Sequence, residues 1–244
     1  TGWFVGGTGW YRKRFSAAAL PADGHVEVVF DGVYMNSDVW LNGQLLGHHP
    51  YGYTPFAYDL TPGIRRDGEN VLAVRVRNEG RNSRWYSGSG IYRHVRVNTT
   101  GSVRVPLWGV FVTTPEVAKD KAAVKVAVQI ENRASSIRDA TVRMRLFDPT
   151  GALAGTRDVR QSLAAGAGAN VEQVFAVTAP QLWSVDAPRL YRAQVEILEG
   201  GRVTDTVGTP FGIRKLEVDA ERGLRINGES VKLKGGCLHH DNGL

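Results

Sequence analysis

Residues 85–93 combine aromatic side chains with a loop rich in glycine and serine, a combination that suits recognition of a sugar ring. Trp85 and Tyr86 offer flat faces on which such a ring can stack. Gly88 and Gly90 let the backbone adopt conformations that other residues avoid. The same pattern is also typical of a packed corner of a β-sandwich with Trp85 buried, and physical reasoning alone leaves the two interpretations equal.

A second cluster with potential chemistry is His239-His240-Asp241, which raises the question of a metal site. Neighbouring residues of a strand point to opposite faces, so His239 and His240 cannot readily bind one ion. No second pair of ligands is evident. Cys237 is the single cysteine of the chain and is expected to be a small buried hydrophobe. We therefore predict no metal site and no internal disulfide.

Three aromatic residues within six positions, Tyr51, Tyr53 and Phe56, form another candidate surface for a carbohydrate. From these residues alone a scaffold role and a sugar platform both stay open, and the family resemblance given below favours the scaffold.

The composition is that of a globular protein, because 42% of the 244 residues are hydrophobic and 22% are charged. The formal net charge of +6 suggests a nucleic-acid partner. However, Arg75 and Arg77 alternate with valines, and Arg143 and Arg145 also alternate with apolar residues, which places them on the solvent faces of two separate strands. A nucleic-acid interface would gather them on one face. We predict no nucleic-acid partner, and no membrane span because no apolar run approaches ~18 residues.

Alternating apolar residues run through the whole chain, with almost no helical periodicity. Strands are predicted at residues 26–30, 71–77, 124–130, 142–147 and 191–197. The sequences expected to form turns between strands are Asn42-Gly43, Asp148-Pro149-Thr150-Gly151, Glu199-Gly200-Gly201-Arg202 and Asn227-Gly228. Residues 164–169 contain only alanine and glycine and are predicted to form a loop. Many short strands with frequent turns predict an all-β protein of the sandwich or barrel type.

Several of these segments, taken in order, resemble the amino-terminal part of a glycoside hydrolase family 2 enzyme of the β-galactosidase kind. They are Gly9-Trp10-Tyr11-Arg12-Lys13, Val39-Trp40-Leu41-Asn42-Gly43, Trp85-Tyr86-Ser87-Gly88-Ser89-Gly90-Ile91-Tyr92-Arg93, Leu182-Trp183, Phe211-Gly212-Ile213-Arg214 and Lys234-Gly235-Gly236-Cys237-Leu238-His239-His240-Asp241. The resemblance implies a jelly-roll β-sandwich of the galactose-binding type at residues 1–101. It implies an immunoglobulin-like β-sandwich at 102–214, with Trp183 in its core. Residues 215–244 would begin a truncated (β/α)₈ catalytic barrel, with its first strand at 231–234.

The resemblance also implies a function for the parent protein, namely retaining hydrolysis of terminal β-D-galactosides. The catalytic pair of glutamates would lie beyond residue 244, so that this chain is a non-catalytic scaffold and is inactive by itself. The resemblance places His240 and Asp241 at the sugar subsite, and it places Trp85 and Tyr86 in a loop that reaches the rim of the active site. Four glutamates of the sandwich sequence receive no catalytic role: Glu116, Glu131, Glu172 and Glu196.

No cofactor is evident in this chain, and the resemblance leaves Mg²⁺ or Na⁺ open for the full-length enzyme. Ser83 stands where some relatives have an acidic residue, so we carry over no sodium site. The expected partner is a carbohydrate, a β-galactoside substrate, and a homo-oligomer stays open. The compartment is undetermined between periplasmic or secreted and cytoplasmic.

Other functions remain open at the level of sequence. The same scaffold serves β-glucuronidases and β-mannosidases, although residues 85–93 look more like the galactosidase version. A stand-alone carbohydrate-binding or assembly module is a further alternative from a different class. Residues 215–244 are expected to be disordered, docked on the sandwich or paired with another chain, because their apolar positions lack sheet neighbours.

Overall fold

The computed structural model describes residues 6–20, 24–80 and 88–237. All regular secondary structure in these residues is β-strand. The described chain divides into two compact units, one within Thr1–Thr100 and one at Gly101–Gly236. None of the described residues forms a helix long and apolar enough to cross a membrane.

The first unit is an antiparallel β-sandwich. Its strands are β1 (Gly7–Ser16), β2 (His25–Phe30), β3 (Val33–Tyr34), β4 (Ser37–Leu41), β5 (Gln44–His49), β6 (Phe56–Asp59), β7 (Glu69–Asn78), β8 (Gly90–Ile91) and β9 (Val95–Thr100). One sheet has the order β1-β7-β4-β5, another has the order β6-β2-β9, and β3 pairs with β8. Alternate residues of β7 are buried, so that Leu72, Val74 and Val76 enter the core with Phe30 and Leu41.

The second unit is also a sandwich of two antiparallel sheets. Its strands are β10 (Val103–Arg104), β11 (Val110–Val117), β12 (Lys121–Asn132), β13 (Arg138–Phe147), β14 (Leu153–Leu163), β15 (Gly168–Thr178), β16 (Tyr191–Glu199), β17 (Arg202–Phe211), β18 (Leu216–Asp219), β19 (Gly223–Ile226) and β20 (Glu229–Ser230). In one sheet β12 pairs with β10, β11 and β15, and the other sheet has the order β14-β13-β16-β17. The all-β prediction of two successive sandwiches, and the five predicted strands, are confirmed.

The predicted turns form where the sequence places them. Asn42 and Gly43 both have positive φ, at 52° and 88°, and join β4 to β5 with Leu41 opposite Gln44. Asn227 and Gly228 repeat this geometry at 54° and 88°. The Asp148 turn joins β13 to β14, and the Gly200-Gly201 turn joins β16 to β17. The loop predicted at residues 164–169 is confirmed only for 164–167, because Gly168 and Ala169 already belong to β15 and pair with β12. These local signals succeed because the required conformation favours asparagine and glycine over other residues.

The predicted solvent faces of the arginine-bearing strands are confirmed as well. Arg75 lies on the face of β7 that points away from the core and binds Asp38. Arg143 and Arg145 lie on the corresponding face of β13 and bind Asp158 and Glu196. The positive charges are therefore separated and paired with carboxylates on neighbouring strands.

For the segment after the second sandwich, one expectation is met and another is wrong. Strands β18, β19 and β20 form a small antiparallel sheet within the second unit, held by a hydrogen bond of 2.9 Å from Asn227 Nδ2 to Trp183 O. Of the three alternatives (disorder, docking on the sandwich and pairing with another chain), residues 216–230 therefore show docking. No strand forms at residues 231–234: Val231 N donates a hydrogen bond of 2.9 Å to Leu224 O of β19, but no ladder with a described strand continues past β20.

Two predictions about single residues are wrong. Cys237 is exposed rather than buried, because residues 231–237 have no regular structure that could enclose its side chain. Trp183 is only partly buried, whereas its neighbour Leu182 packs against the core. The Trp183 ring lies between Gly212 and the Arg214 guanidinium, whose central carbon is 4.6 Å from the ring centroid. It covers the edge of the sandwich instead of filling its centre.

Candidate functional site

All four predicted substrate-binding residues lie outside the described residues. Trp85 and Tyr86 belong to residues 81–87, and His240 and Asp241 belong to residues 238–244. Their assignment to a sugar site therefore stays a prediction. The structure does describe the residues on either side of residues 81–87, and these lie beside an aromatic surface.

The two chain ends that flank residues 81–87 are joined by side chains. Strand β7 ends at Asn78, and the chain is described again from Gly88. The buried amide of Asn78 donates a hydrogen bond of 2.7 Å to Ser89 Oγ. Gly90 has a φ of 127°, and a Cβ atom there would overlap the hydroxyl of Tyr11. The predicted importance of Gly90 thus has a physical basis in backbone conformation and in close approach.

Four tyrosines come together beside this point, and we call them the tyrosine cluster: Tyr34, Tyr51, Tyr53 and Tyr92. Tyr34 lies in β3, which pairs with β8, and its side chain is buried. The Tyr53 ring meets it edge to face, with centroids 5.3 Å apart, and the Tyr51 ring meets Tyr53 in the same manner at 5.5 Å. Tyr51, Tyr53 and Tyr92 are 55%, 57% and 48% exposed.

Two glycines allow the tyrosine cluster to form. A Cβ atom at Gly52 would overlap the ring of Tyr34, and one at Gly32 would overlap the ring of Tyr92. The hydroxyl of Tyr92 donates a hydrogen bond of 2.9 Å to the carbonyl oxygen of Gly52. The rings are therefore held by backbone contacts rather than only by one another.

The electrostatics favour the protonated form of the Tyr53 hydroxyl. Burial raises the pKa of Tyr53 above its ordinary value, and the neighbouring Tyr34, which is also its hydrogen-bond partner, raises it further. The guanidinium of Arg93 lies over the Tyr92 ring at 5.5 Å. The surface consequently presents neutral hydroxyl groups and ring faces, which suits a polar uncharged ligand with an apolar side.

A second polar arrangement lies on the outer face of the β1-β7-β4-β5 sheet. The buried carboxylate of Asp38 accepts hydrogen bonds from Arg75 Nη2 at 2.8 Å and Nε at 3.1 Å, and its other oxygen is 2.9 Å from His48 Nδ1. Arg75 also lies within 5.7 Å of the ring centroids of Trp10 and Trp40. Burial raises the pKa of Asp38, but the hydrogen bonds from Arg75 and His48 outweigh it and hold this pKa below the ordinary value. This carboxylate therefore anchors the sheet and is a poor proton donor.

Three of the four glutamates that received no catalytic role form ion pairs in the second unit. Glu131 is partly buried, and although burial raises its pKa, hydrogen bonds from Arg104 and Arg133 bring this pKa below the ordinary value. A catalytic acid needs the opposite shift. The ion pairs are Glu131 with Arg104 at 2.8 Å, Glu172 with Lys125 at 2.7 Å and Glu196 with Arg145 at 3.2 Å. Glu116 lies beside a bulge of β11. Ion pairing accounts for Glu131, Glu172 and Glu196, and the absence of a catalytic role for all four stays a prediction.

Among the described residues, no group of three histidine, cysteine, aspartate or glutamate side chains comes close enough to hold a metal ion. The sequence analysis missed Tyr34 and Tyr92 as companions of Tyr51 and Tyr53. These residues are far apart in sequence, and long-range contacts bring them together, among them the pairing of β3 with β8 and the hydrogen bond from Tyr92 to Gly52. The available signal was Gly52 between two tyrosines, because a glycine leaves room for another group to approach closely.

Comparison with known families gives two matches that together include both sandwiches. Residues 4–101 match the model described as glycosyl hydrolases family 2, sugar binding domain. Residues 105–214 match the model described as glycosyl hydrolases family 2.

Individual relatives agree with these matches. The chain is 44% identical to the β-galactosidase BoGH2A of Bacteroides ovatus over 98% of its own length and 28% of that protein. It is 37% identical to a putative β-glucuronidase of Formosa agariphila, of which it covers 23%. A crystal structure of a family 2 member from Bacteroides cellulosilyticus superposes with a TM-score of 0.92 at 43% identity, over 98% of this chain and 33% of that one. The chain thus spans a third or less of each of these proteins.

Proposed function

Because this chain belongs to glycosyl hydrolase family 2, we propose that it is the non-catalytic amino-terminal part of a retaining exo-glycosidase that hydrolyses terminal β-D-galactosides. The observation that carries the preference for galactosides is the 44% identity to a β-galactosidase across nearly the whole chain. The amino-acid sequence of residues 85–93, which resembles the galactosidase version of the loop, supports the same choice.

In this proposal the chemistry belongs to residues beyond Leu244. A retaining enzyme needs two carboxyl groups about 5–5.5 Å apart, one acting as acid and base and the other as nucleophile. The chain covers 28% and 23% of these two relatives, so most of the length of each, enough for a catalytic domain, lies outside the matched part. The paired state of Glu131, Glu172 and Glu196 supports the view that the sandwiches contribute no catalytic carboxylate.

The contribution of this chain would be to shape the sugar site. His240 and Asp241 would line the subsite for the terminal sugar, and Trp85 and Tyr86 would cover its rim. Asn78, Ser89 and Gly90 would hold the base of the loop that carries the two aromatic residues.

The test compares the complete reading frame with the 244-residue chain, using aryl β-galactoside, β-glucuronide and β-mannoside substrates. We expect the complete protein to cleave the galactoside with the highest kcat/KM and the chain alone to cleave none of them. Cleavage by the chain alone would overturn the scaffold role. In the complete protein, Trp85→Ala and His240→Ala should each lower kcat/KM by about tenfold or more, whereas Phe111→Ala, at an exposed aromatic of the second unit, should leave it unchanged.

A β-glucuronidase is the second candidate, and a specific observation favours it. The putative β-glucuronidase of Formosa agariphila is 37% identical, and a structure titled as a family 2 β-glucuronidase superposes with a TM-score of 0.88 at 29% identity. Faster hydrolysis of the glucuronide than of the galactoside by the complete protein would replace the first proposal with this one.

A further inference from the structure

Two Asn-Gly turns of the described chain share one backbone geometry, but their asparagines are held in different surroundings. Asn227 and Gly228 turn between β19 and β20, and Asn42 and Gly43 turn between β4 and β5. An asparagine before glycine is chemically labile, because glycine has no side chain that hinders attack of its nitrogen on the neighbouring amide. We propose that Asn227 is a deamidation site, and that its conversion releases the small β18-β19-β20 sheet from the second sandwich.

The reaction needs no reactant other than water. The backbone nitrogen of Gly228 gives up its proton and forms a bond to Cγ of Asn227, while the bond between Cγ and Nδ2 breaks. The leaving nitrogen takes up that proton and departs as ammonia, which leaves a five-membered succinimide ring. Water then opens one of the two C–N bonds of the ring and gives aspartate or isoaspartate. One amide is thus replaced by one carboxyl group, with no oxidation or reduction.

The side chain of Asn227 holds the hairpin to the sandwich through two backbone groups. Its Nδ2 donates a hydrogen bond of 2.9 Å to the carbonyl oxygen of Trp183, and its Oδ1 accepts one of 2.9 Å from the backbone nitrogen of Lys215. Ring closure draws Cγ to bonding distance of the Gly228 nitrogen and moves the amide away from both partners. The reaction therefore proceeds when the turn opens.

The surroundings of Asn227 make such opening easy. Strand β19 pairs with β18 over four residues and with β20 over only two. A cavity of about 160 Å³, lined by Leu182, Lys215, Asn227 and Gly228 among others, lies beside the turn. Water can reach the amide from this cavity, and few ladder hydrogen bonds must break to free the turn. Small elements of this kind open locally at a lower free energy than a sandwich core.

Asn42 provides the matched comparison within the same chain. Its Nδ2 donates hydrogen bonds of 2.9 Å to Gly63 O and to Asn70 Oδ1, and its Oδ1 accepts one of 2.9 Å from Val71 N. Leu41, the residue before it, is 1% exposed, and its strand β4 lies between β5 and β7. Opening this turn disturbs the core of the first unit, so Asn42 is the better protected of the two asparagines.

The product of the reaction cannot restore the hydrogen bond to the sandwich. Aspartate has no amide hydrogen to donate to Trp183 O, and a carboxylate oxygen would face that carbonyl oxygen instead. Isoaspartate also lengthens the backbone of the turn by one carbon, which a two-residue hairpin does not accommodate. Conversion of Asn227 therefore works in one direction and leaves the hairpin undocked.

The proposal goes beyond the proposed function, because the reaction uses only this chain and water and does not depend on hydrolysis of a glycoside. The measurement is peptide mapping by mass spectrometry, with separation of aspartate and isoaspartate products, after incubation of the 244-residue chain at mildly alkaline pH. We expect product at Asn227 to accumulate at least about tenfold faster than product at Asn42 in the folded chain. In denaturant the two rates should become similar. Asn242-Gly243, which lies outside the described residues, is quantified as a separate peptide.

An aspartate variant tests the consequence for the hairpin. Asn227→Asp should speed amide exchange at Lys215 and Val231, whose backbone nitrogens donate to Asn227 Oδ1 and Leu224 O in the docked hairpin. Unchanged protection of β12 and β16 shows that the variant is folded. Ser230→Asp is the matched control, because it places the same carboxylate on the same hairpin at an exposed position, and it should leave the exchange rates unchanged.

Three results would overturn the proposal. The first is no product at Asn227 in the folded chain over a period in which the unfolded chain converts completely. The second is equal rates at Asn227 and Asn42 in the folded chain, which would mean that the surroundings of the turn do not control the reaction. The third is unchanged protection of Lys215 and Val231 in Asn227→Asp, which would mean that the hairpin stays docked after conversion.

Discussion

In the first unit tyrosine rings lie directly against glycines, whereas the second unit fills its core mainly with aliphatic side chains that alternate along extended strands. The glycine contacts of the first unit involve Gly32 with Tyr92, Gly47 with Tyr58 and Gly52 with Tyr34. In the second unit, β12 buries every other residue from Ala122 to Asn132. Both cores are mainly aliphatic, and in the second unit Gly155 and Gly212 also lie against rings, so the first unit differs in that its rings on glycines are tyrosines.

The difference teaches where function can be placed on a β-sandwich. A core built from alternation tolerates exchange of one aliphatic residue for another of similar volume. A ring that packs directly on a glycine leaves no space for a side chain at that position. This constraint limits how the neighbouring rings can be oriented. The first unit accordingly positions exposed tyrosines with a geometry that the second unit has no need to provide.

The largest effect should come from removing a core ring in the first unit. Phe30 is buried and stacks on Phe56 with centroids 4.9 Å apart, so Phe30→Ala should lower the free energy of unfolding of that unit by about 4 kcal/mol. Ile197→Ala, at a fully buried position of β16, should cost the second unit about 3 kcal/mol. Amide exchange within each unit measures both values. A smaller loss of unfolding free energy for Phe30→Ala than for Ile197→Ala would contradict this ranking of the two units.

The next effect concerns the contact between glycine and ring. Gly52→Ala should lower the stability of the first unit by about 2 kcal/mol, because the new methyl group overlaps the Tyr34 ring. Gly208→Ala in β17 is the matched control, since its nearest neighbour is Arg192 Cδ at 3.9 Å and the change should stay within about 0.5 kcal/mol. Denaturant titration of both variants provides the measurement. Equal stability of the two would show that Tyr34 can move aside.

An intermediate effect separates a buried ion pair from an exposed one. At neutral pH, Asp38→Asn should cost about 1–2 kcal/mol, because it removes the charge that Arg75 and His48 face. Asp158→Asn should cost less than about 0.5 kcal/mol, because the Asp158 side chain is 42% exposed and solvent screens its pair with Arg143. Denaturant titration at constant ionic strength compares the two. A greater loss for Asp158→Asn would contradict the ranking by burial.

The same carboxylate predicts a dependence on pH. The pKa of Asp38 is lower in the folded chain than its ordinary 3.8, so its contribution is present above that value and is lost as the pH falls through the lower folded pKa. The stability difference between the unmodified chain and Asp38→Asn should therefore shrink below about pH 4. A difference that stays constant from pH 7 to pH 3 would mean that the charge of Asp38 does not contribute.

The sequence was sufficient for the strands and turns because both are encoded locally. The alternation in β12 and the pair Asn42-Gly43 specify a conformation without reference to distant residues. It was insufficient for the tyrosine cluster, because the pairing of β3 with β8 is a long-range contact. Cys237 was assigned to the interior from its residue type, but burial depends on neighbours that residues 231–237 do not have in the described part of the chain. The predicted subsite residues lie outside the described residues, so the sugar site stays a prediction.

The smallest expected effect concerns the Asn-Gly turns, and it should be equal in the two units. Gly43 and Gly228 each follow an asparagine, and both have a φ of 88°, although one lies in the first unit and one in the second. Because the strain of a side chain at this φ is local, alanine at either position should cost about 1 kcal/mol. Matched denaturant titrations of Gly43→Ala and Gly228→Ala measure it. Equal losses would limit the contrast between the units to ring packing, whereas a much larger loss at Gly43 would extend it to the turns, where the Asn42 side chain also hydrogen-bonds Asn70 and Val71.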